Sequence, residues 1–315
     1  MRIASLLPSA TEIVCALGAR EELVGVSHEC DFPRGVEQLP ILTRVRKTLP
    51  RAGGAIHRAV LEILRDALTV YELDTAKLRA AAPEIIVTQD LCDVCAVSLD
   101  DVRRALAELE LSGVQLVSLK PTRLGDVWED VRRVGRALGR NERGLTVAME
   151  LELRVAAIGA RSARQRRRPS VLTIEWLDPV MIGGTWMPEL VAAAGGSALV
   201  TKPGEHAPTL TLEQLAQLDP EVVLIKPCGF DLARTASELP LLAAQLPWSS
   251  WQAVEAGRVF VADGNAFFNR SGPRLVESLE ILAACVHPEE FGEFARAHAA
   301  SVRRVDAHLE LAPAF

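Results

Sequence analysis

The sequence predicts an α/β protein of two lobes with parallel sheets, joined by a long rigid helix. Three observations carry this reading. Short β-branched runs alternate with helical patterns, as expected of strands linked by crossover helices. A helical stripe of unusual length occupies the middle of the chain. The pattern before that stripe then returns after it, and internal self-similarity outweighs any single element as a sign of architecture. At 315 residues the chain also exceeds the size at which one hydrophobic core usually stops growing. The expected organisation is a Rossmann-like lobe over residues 1–123, a linker helix over 124–168 and a second Rossmann-like lobe over 169–315.

The elements follow in order. Arg2–Leu7 reads as a strand, Ala10–Leu17 as a helix closed by Gly18, and Leu23–Ser27 as a strand. Ser9 and Glu12 have the spacing of a capping box at the start of that first helix. Glu84–Thr88 and Val114–Leu119 are strands around a helix at Leu99–Leu109. From Leu124 the apolar residues Val127, Trp128, Val131, Val134 and Leu138 hold a 3.6-residue period, and helical spacing resumes at Leu145. With Gly139–Arg143 as a weak interruption, this is one helix or two joined ones, ended by Pro169. Val171–Trp176 then repeats the opening strand, and Pro188–Ala194 is a helix closed by Gly195-Gly196. The sharpest echo pairs Leu78–Val87 with Leu215–Leu224, each a helix end, a Pro-Glu turn and a buried strand. Gly113–Leu119 is matched by Gly257–Asp263.

Composition narrows the function. A net charge of -6 creates no field that gathers phosphates, so nucleic acid is not an expected partner. No run of about eighteen apolar residues occurs, which excludes a membrane-inserted helix on length. Met1 and Arg2 lead straight into a strand, so the sequence as written reads as cytoplasmic, and as periplasmic or extracellular if an export segment has been removed. Six cysteines in a chain of this length are no disulfide scaffold. No Ser-His-Asp order, Gly-rich phosphate loop or H-E-x-x-H pattern accompanies the acidic loops, so the expectation is a binding protein and not an enzyme.

In parallel α/β sheets the loops at the carboxyl ends of the strands form the binding crevice. In the first lobe these loops carry His28, Glu29, Cys30, Phe32, Gln89, Cys92 and Cys95. In the second they carry Trp176, Asp178, Trp186, Phe267, Phe268, Asn269 and Arg270. Aromatic residues are only 4% of the chain, and their concentration on loops points to a flat apolar ligand, against the plainer reading that Trp176 and Trp186 cap a core. Cys92 and Cys95 form a lone C-x-x-C, which does not close a tetrahedron by itself. Joined by Cys30 and His28 it has the softness for zinc or an iron-sulfur cluster; unliganded thiols and thiol-redox chemistry remain open beside it. His28 alone suits an axial position on cobalt or haem iron, or else a hydrogen bond to its own loop.

Ile3–Leu17 (I-A-S-L-L-P-S-A-T-E-I-V-C-A-L), Val24–Pro33, Pro83–Val87 and Gly272–Leu279 together resemble the substrate-binding proteins of iron-siderophore, haem and cobalamin ABC importers, nearest to the cobalamin-binding branch. The resemblance implies two α/β lobes bridged by a rigid helix, a small-molecule ligand held between them and, for an exported protein, an ABC importer as partner. The family's Ser-x-x-Asp-Tyr-Pro loop corresponds to Ser27–Pro33, with Phe32 in place of Tyr. The Gln89–Cys95 loop departs from the family pattern by introducing metal-type ligands. The expected function is binding of a cobalamin-like corrinoid for uptake, storage or trafficking. Its rival is a metal-thiolate or thiol-redox protein centred on Cys30, Cys92 and Cys95. A ferric siderophore, often anionic, suits a cleft richer in arginine than Arg270 and Arg274 provide.

Overall fold

The computed structural model of the chain describes residues 1–46, 50, 53–66, 70–90, 97–109 and 113–315. In chain order the elements of the first half are β1 (Ile3–Ser5), α1 (Pro8–Ala16), β2 (Leu23–Val26), β3 (Thr43–Val45), α2 (Gly53–Asp66), β4 (Tyr71–Leu73), α3 (Thr75–Ala81), β5 (Ile85–Gln89), α4 (Leu99–Glu108), β6 (Gln115–Leu119), α5 (Leu124–Ala137) and α6 (Asn141–Ser162). The second half holds β7 (Ser170–Leu177), β8 (Val180–Ile182), α7 (Met187–Ala193), β9 (Ser197–Ala198), α8 (Leu212–Leu215), β10 (Val222–Ile225) and α9 (Leu232–Ala243). It ends with α10 (Gln252–Glu255), β11 (Val259–Ala262), α11 (Leu275–Val286), α12 (Gly292–Ala297), β12 (Val302–Val305) and β13 (Leu311–Pro313). The chain divides into two compact units, and the boundary, between Leu151 and Glu152, falls inside α6.

The sheet of the first unit has the order β2-β1-β5-β6, and every neighbouring pair is parallel. β5 is buried at all five positions, as its unbroken apolar start Ile85-Ile86-Val87 requires of a central parallel strand. A separate antiparallel pair, β3 with β4, places Thr43 opposite Leu73 and Val45 opposite Tyr71. The sheet of the second unit has the order β13-β12-β11-β10-β7-β8, with β9 also on β7. Strands β9, β7, β10 and β11 run parallel, whereas β8, β12 and β13 pair antiparallel, so this sheet is mixed where a parallel one was expected. The difference lies at its margins: short turns, Asp178-Pro179 between β7 and β8 and residues 306–310 between β12 and β13, send the chain straight back, while β12 returns antiparallel to β11 after α11 and α12.

The internal echo is structural. The helix-Pro-Glu-strand units end in β5 and β10, which lie beside β1 and β7, and the next strands β6 and β11 lie beside those. Local caps agree with the sequence: Asp74 accepts from the Lys77 amide, Ser98 from Asp101 and Asp231 from Arg234, while Thr211 and Gln214 form a reciprocal capping box on α8. At α1 the expected capping box is absent. The extended Leu7 is the cap residue, and Pro8 occupies the first turn, where its missing N–H is no loss, so Ser9 already lies inside the helix.

Of the one helix or two joined ones expected over 124–168, the structure forms two, and the longer, α6, carries the chain from one unit into the other. Gly139 between them has φ 66°, which ends α5 through a left-handed residue. A Cβ on Gly135 would come within 2.8 Å of the Gly144 Cα, so this corner needs glycine for close backbone approach. Arg140 fixes the corner by donating to the carbonyls of Leu17 and Gly18 and pairing with Glu22.

A second close approach lies at the carboxyl end of the other sheet. A Cβ on Gly264, just after β11, would stand 2.1 Å from the carbonyl oxygen of Pro227, just after β10. Backbone must shift to admit it. Gly264→Ala is therefore expected to destabilise the protein by about 1–3 kcal/mol, the usual range for overpacking, and calorimetric melting measures the fall.

Candidate functional site

In the first unit the loop after β2 begins Ser27-His28-Glu29-Cys30. Thr43, on the added strand β3, stands beneath it. Its Oγ1 accepts from the His28 backbone N–H at 3.0 Å, lies 2.7 Å from the His28 Nδ1 and donates to Ser27 Oγ at 3.1 Å. With its one proton on Ser27, Thr43 can only accept from the imidazole, which places a proton on Nδ1 and leaves the Nε2 lone pair unprotonated. Burial lowers the His28 pKa below the ordinary range, against the opposing charge of Glu29, so the ring is neutral at neutral pH. A neutral imidazole with one nitrogen held and the other bare is the form that ligates metals. Tyr71, the single tyrosine of the chain, packs its ring 5.0 Å from that of His28 and donates its hydroxyl to Glu29 Oε1 at 2.8 Å.

Cys30 faces another way. Its buried sulfur lies 3.1 Å from Thr11 Oγ1, Thr11 donates to Ser5 Oγ at 2.7 Å, and Ser5 donates to the Leu7 carbonyl at 3.2 Å. The sulfur is thus held against α1 through the Thr11 hydroxyl. Cys92 and Cys95, expected to share a metal with Cys30 and His28, lie outside the described residues. Among the described residues no group of three or more His, Cys, Asp or Glu side chains is placed to hold a metal ion. Phe32 is 40% exposed, while Gln89 is buried and its Nε2 finds no partner among the described residues.

Next to the carboxyl end of β6, Asp130 of α5 is buried. Its Oδ1 pairs with Arg133 at 3.2 Å, and its Oδ2 has no partner among the described residues. Burial pushes its pKa up from 3.8 to about 7; Asp126 and Glu129 add to the rise, and Arg133 and the Lys120 amide oppose it.

In the second unit the strand ends carry the expected aromatic residues, but most of them face inward. Trp186 is 6% exposed and donates Nε1–H to the Phe268 carbonyl at 2.8 Å. Phe268 is 1% exposed, has φ 67° and donates its backbone N–H to Ser278 Oγ at 2.8 Å. These two rings are buried at the loop after β11, the burial of core residues. Trp176 is half-buried, with Nε1–H on the Asp178 carbonyl at 3.1 Å and its ring edge-on to Phe230 at 5.4 Å. Phe267 is half-buried between Arg274 and His298. Arg270 is buried and donates to Asn265 Oδ1 at 3.1 Å. Asn269 has a structural part: its Nδ2 donates to the carbonyls of Lys226 and Gly264 at 3.0 and 2.8 Å.

Three residues at these loops escaped the sequence reading. Tyr71 was invisible because β4 is only three residues long. A buried Lys226 and a partly exposed Glu175 pair at the ends of β10 and β7, with Lys226 Nζ donating to Glu175 Oε2 at 2.8 Å. The available signal was a lysine directly after the buried run Val222–Ile225, where a charge is unexpected unless partnered.

Residues 3–266 match the sequence profile described as periplasmic binding protein. The chain belongs to that family, whose members bind small ligands. It is 22% identical over 305 residues to an uncharacterized ABC transporter substrate-binding lipoprotein of Bacillus subtilis (strain 168), YvrC, covering 93% of this chain and 82% of that protein. Among solved structures, a periplasmic heme binding protein from Pseudomonas aeruginosa is similar at 24% identity and TM-score 0.66, over 91% of this chain and 93% of its own. The periplasmic vitamin B12 binding protein BtuF of Vibrio cholerae is similar at 19% identity and TM-score 0.63, over 90% and 96%. These likenesses establish the fold. Their names are those of periplasmic or lipoprotein receptors and lend no support to a cytoplasmic location; no helix among the described residues is long and apolar enough to cross a membrane.

Two measurements follow. Trp186→Phe leaves the Phe268 carbonyl buried without its donor, so a loss of about 1–3 kcal/mol is expected in denaturant melts, with a smaller loss for Trp176→Phe. Asp130 binds its proton more tightly folded than unfolded, so its contribution is largest near pH 4 and is lost as pH rises towards about 7. Melting temperatures between pH 4 and 8 should show that decline, and the Asp130→Asn difference curve should be its mirror image. His28 and His287, whose pKa values burial lowers, act with the opposite sign and cancel from that difference.

Proposed function

We propose that this protein binds a cobalamin-like corrinoid through the carboxyl-end loops of its sheets and serves in its uptake through an ABC importer or in its trafficking. The observation that carries the reading is His28. Its Nδ1 is held by Thr43 and its Nε2 is bare, in a ring kept neutral by burial, which is the preparation an axial ligand to cobalt needs. Trp176 and Phe267 supply partly exposed aromatic surface, and Phe32 adds another ring, consistent with a large flat ligand. Asp178 and Glu29 offer acceptors for amide donors at the ligand's edge, and Gln89 carries an amide of its own.

Charge favours a corrinoid over haem or a ferric siderophore. Arg270 is buried on Asn265, and Lys226 is buried on Glu175, so neither cation stands open to a carboxylate-bearing ligand. A corrinoid is nearly neutral and fringed with amides, which suits acidic loops without electrostatic penalty. The kinship to haem- and vitamin B12-binding receptors supports the class of a metal-centred tetrapyrrole.

Calorimetry and absorption spectra with hydroxocobalamin, cyanocobalamin, haemin and a ferric siderophore test the assignment. Hydroxocobalamin should bind with a spectral shift that His28→Ala abolishes, and Trp176→Ala should weaken binding by about tenfold or more. No measurable affinity for either cobalamin refutes the reading. Zinc, or iron with sulfide, found instead in stoichiometric amount would establish a metal-thiolate protein.

A further inference from the structure

We propose, resting on the corrinoid reading above, that Glu175 is a ligand-contacting acceptor for a side-chain amide of the corrinoid, held in place by the buried Lys226. Glu175 was not among the acceptors that the sequence brought forward. The side chain of Lys226 has no exposed surface, and a charge so placed persists only with partners. Its ammonium donates to Glu175 Oε2 and to Asn269 Oδ1, both at 2.8 Å. Asn269 cannot turn to release it, because its own amide N–H groups are spent on the carbonyls of Lys226 and Gly264.

Glu175 is the member of this group that reaches outward. Its side chain is 24% exposed, only Oε2 is bonded to the lysine, and Oε1 has no hydrogen bond among the described residues. It stands two residues before the end of β7, next to the end of β10, on the edge of the sheet where parallel strands offer their ligands. A pair kept only for packing is replaceable by apolar residues of similar size without loss of stability. A carboxylate neutralised by its own lysine presents an acceptor with little net charge. That suits a neutral ligand with N–H donors at its edge, and it disfavours haem, whose propionates would bring a second set of acceptors against Oε1.

The experiment is calorimetric titration of cyanocobalamin and of haemin into the wild type, Glu175→Gln and the double variant Glu175→Gln/Lys226→Met, each first shown by thermal melting to be folded. In the single variant the glutamine keeps an oxygen for Lys226 and turns its NH2 to where Oε1 stood, so donor faces donor. The double variant removes both charges together and avoids leaving an unpaired lysine. Both variants should lose about tenfold or more in affinity for cyanocobalamin, with haemin affinity unchanged or raised. Wild-type affinity for cyanocobalamin in either folded variant overturns the role of Glu175 and leaves the corrinoid assignment standing. A wild-type protein that takes haemin and refuses cyanocobalamin overturns both.

Discussion

A lysine ammonium with no access to water has to be solvated by protein, and that requirement organises the strand ends of the second unit. Lys226 draws in a carboxylate from β7 and an amide oxygen from the loop after β11. The same amide then ties the carbonyls at positions 226 and 264, where Gly264 allows two backbones to approach too closely for any side chain. Three consecutive strands of the parallel core are thereby finished by one polar network. Next to Asn269 in the chain, Phe268 is buried and its carbonyl accepts from the buried Trp186 Nε1–H.

The first unit reaches a comparable order with hydroxyls in place of charge. Two short relays leave the loop after β2. One runs from Cys30 through Thr11 and Ser5 to the Leu7 carbonyl, and the other joins His28, Thr43 and Ser27. The first relay holds the Cys30 sulfur against α1, whereas the second holds one nitrogen of His28. Residues two positions apart are thus tied to different neighbours, on α1 and on β3.

The parallel core was legible in the sequence because a strand buried on both faces must be written as a continuous apolar run, as in Ile85-Ile86-Val87 and Val222-Val223-Leu224. The helix-Pro-Glu-strand echo even foretold which strands occupy equivalent places. The antiparallel additions were hidden, since β3, β4 and β13 are three residues long and no period can be read from so few. The interruption between α5 and α6 was legible in Gly139–Arg143 but not decisive, because Leu138 continues the stripe of α5 into the turn. At the strand-end loops, residue type does not reveal which way side chains point. Trp186 and Phe268 have the composition of a ligand-gripping pair and the burial of a core, while Lys226, passed over in the sequence, is among the most buried side chains of its unit.

The margins of the two sheets have a bearing on solubility. An outermost strand exposes a row of unpaired amide hydrogens and carbonyls that can recruit another chain edge to edge. In the second unit the outermost strand β13 is short and ends in Pro313, which has no amide hydrogen to offer, so the row of donors is interrupted. In the first, Arg133 of α5 donates to the carbonyl of Ser118 on β6 at 2.9 Å, capping an acceptor and placing a positive charge beside that margin. Both devices turn away a growing cross-strand stack.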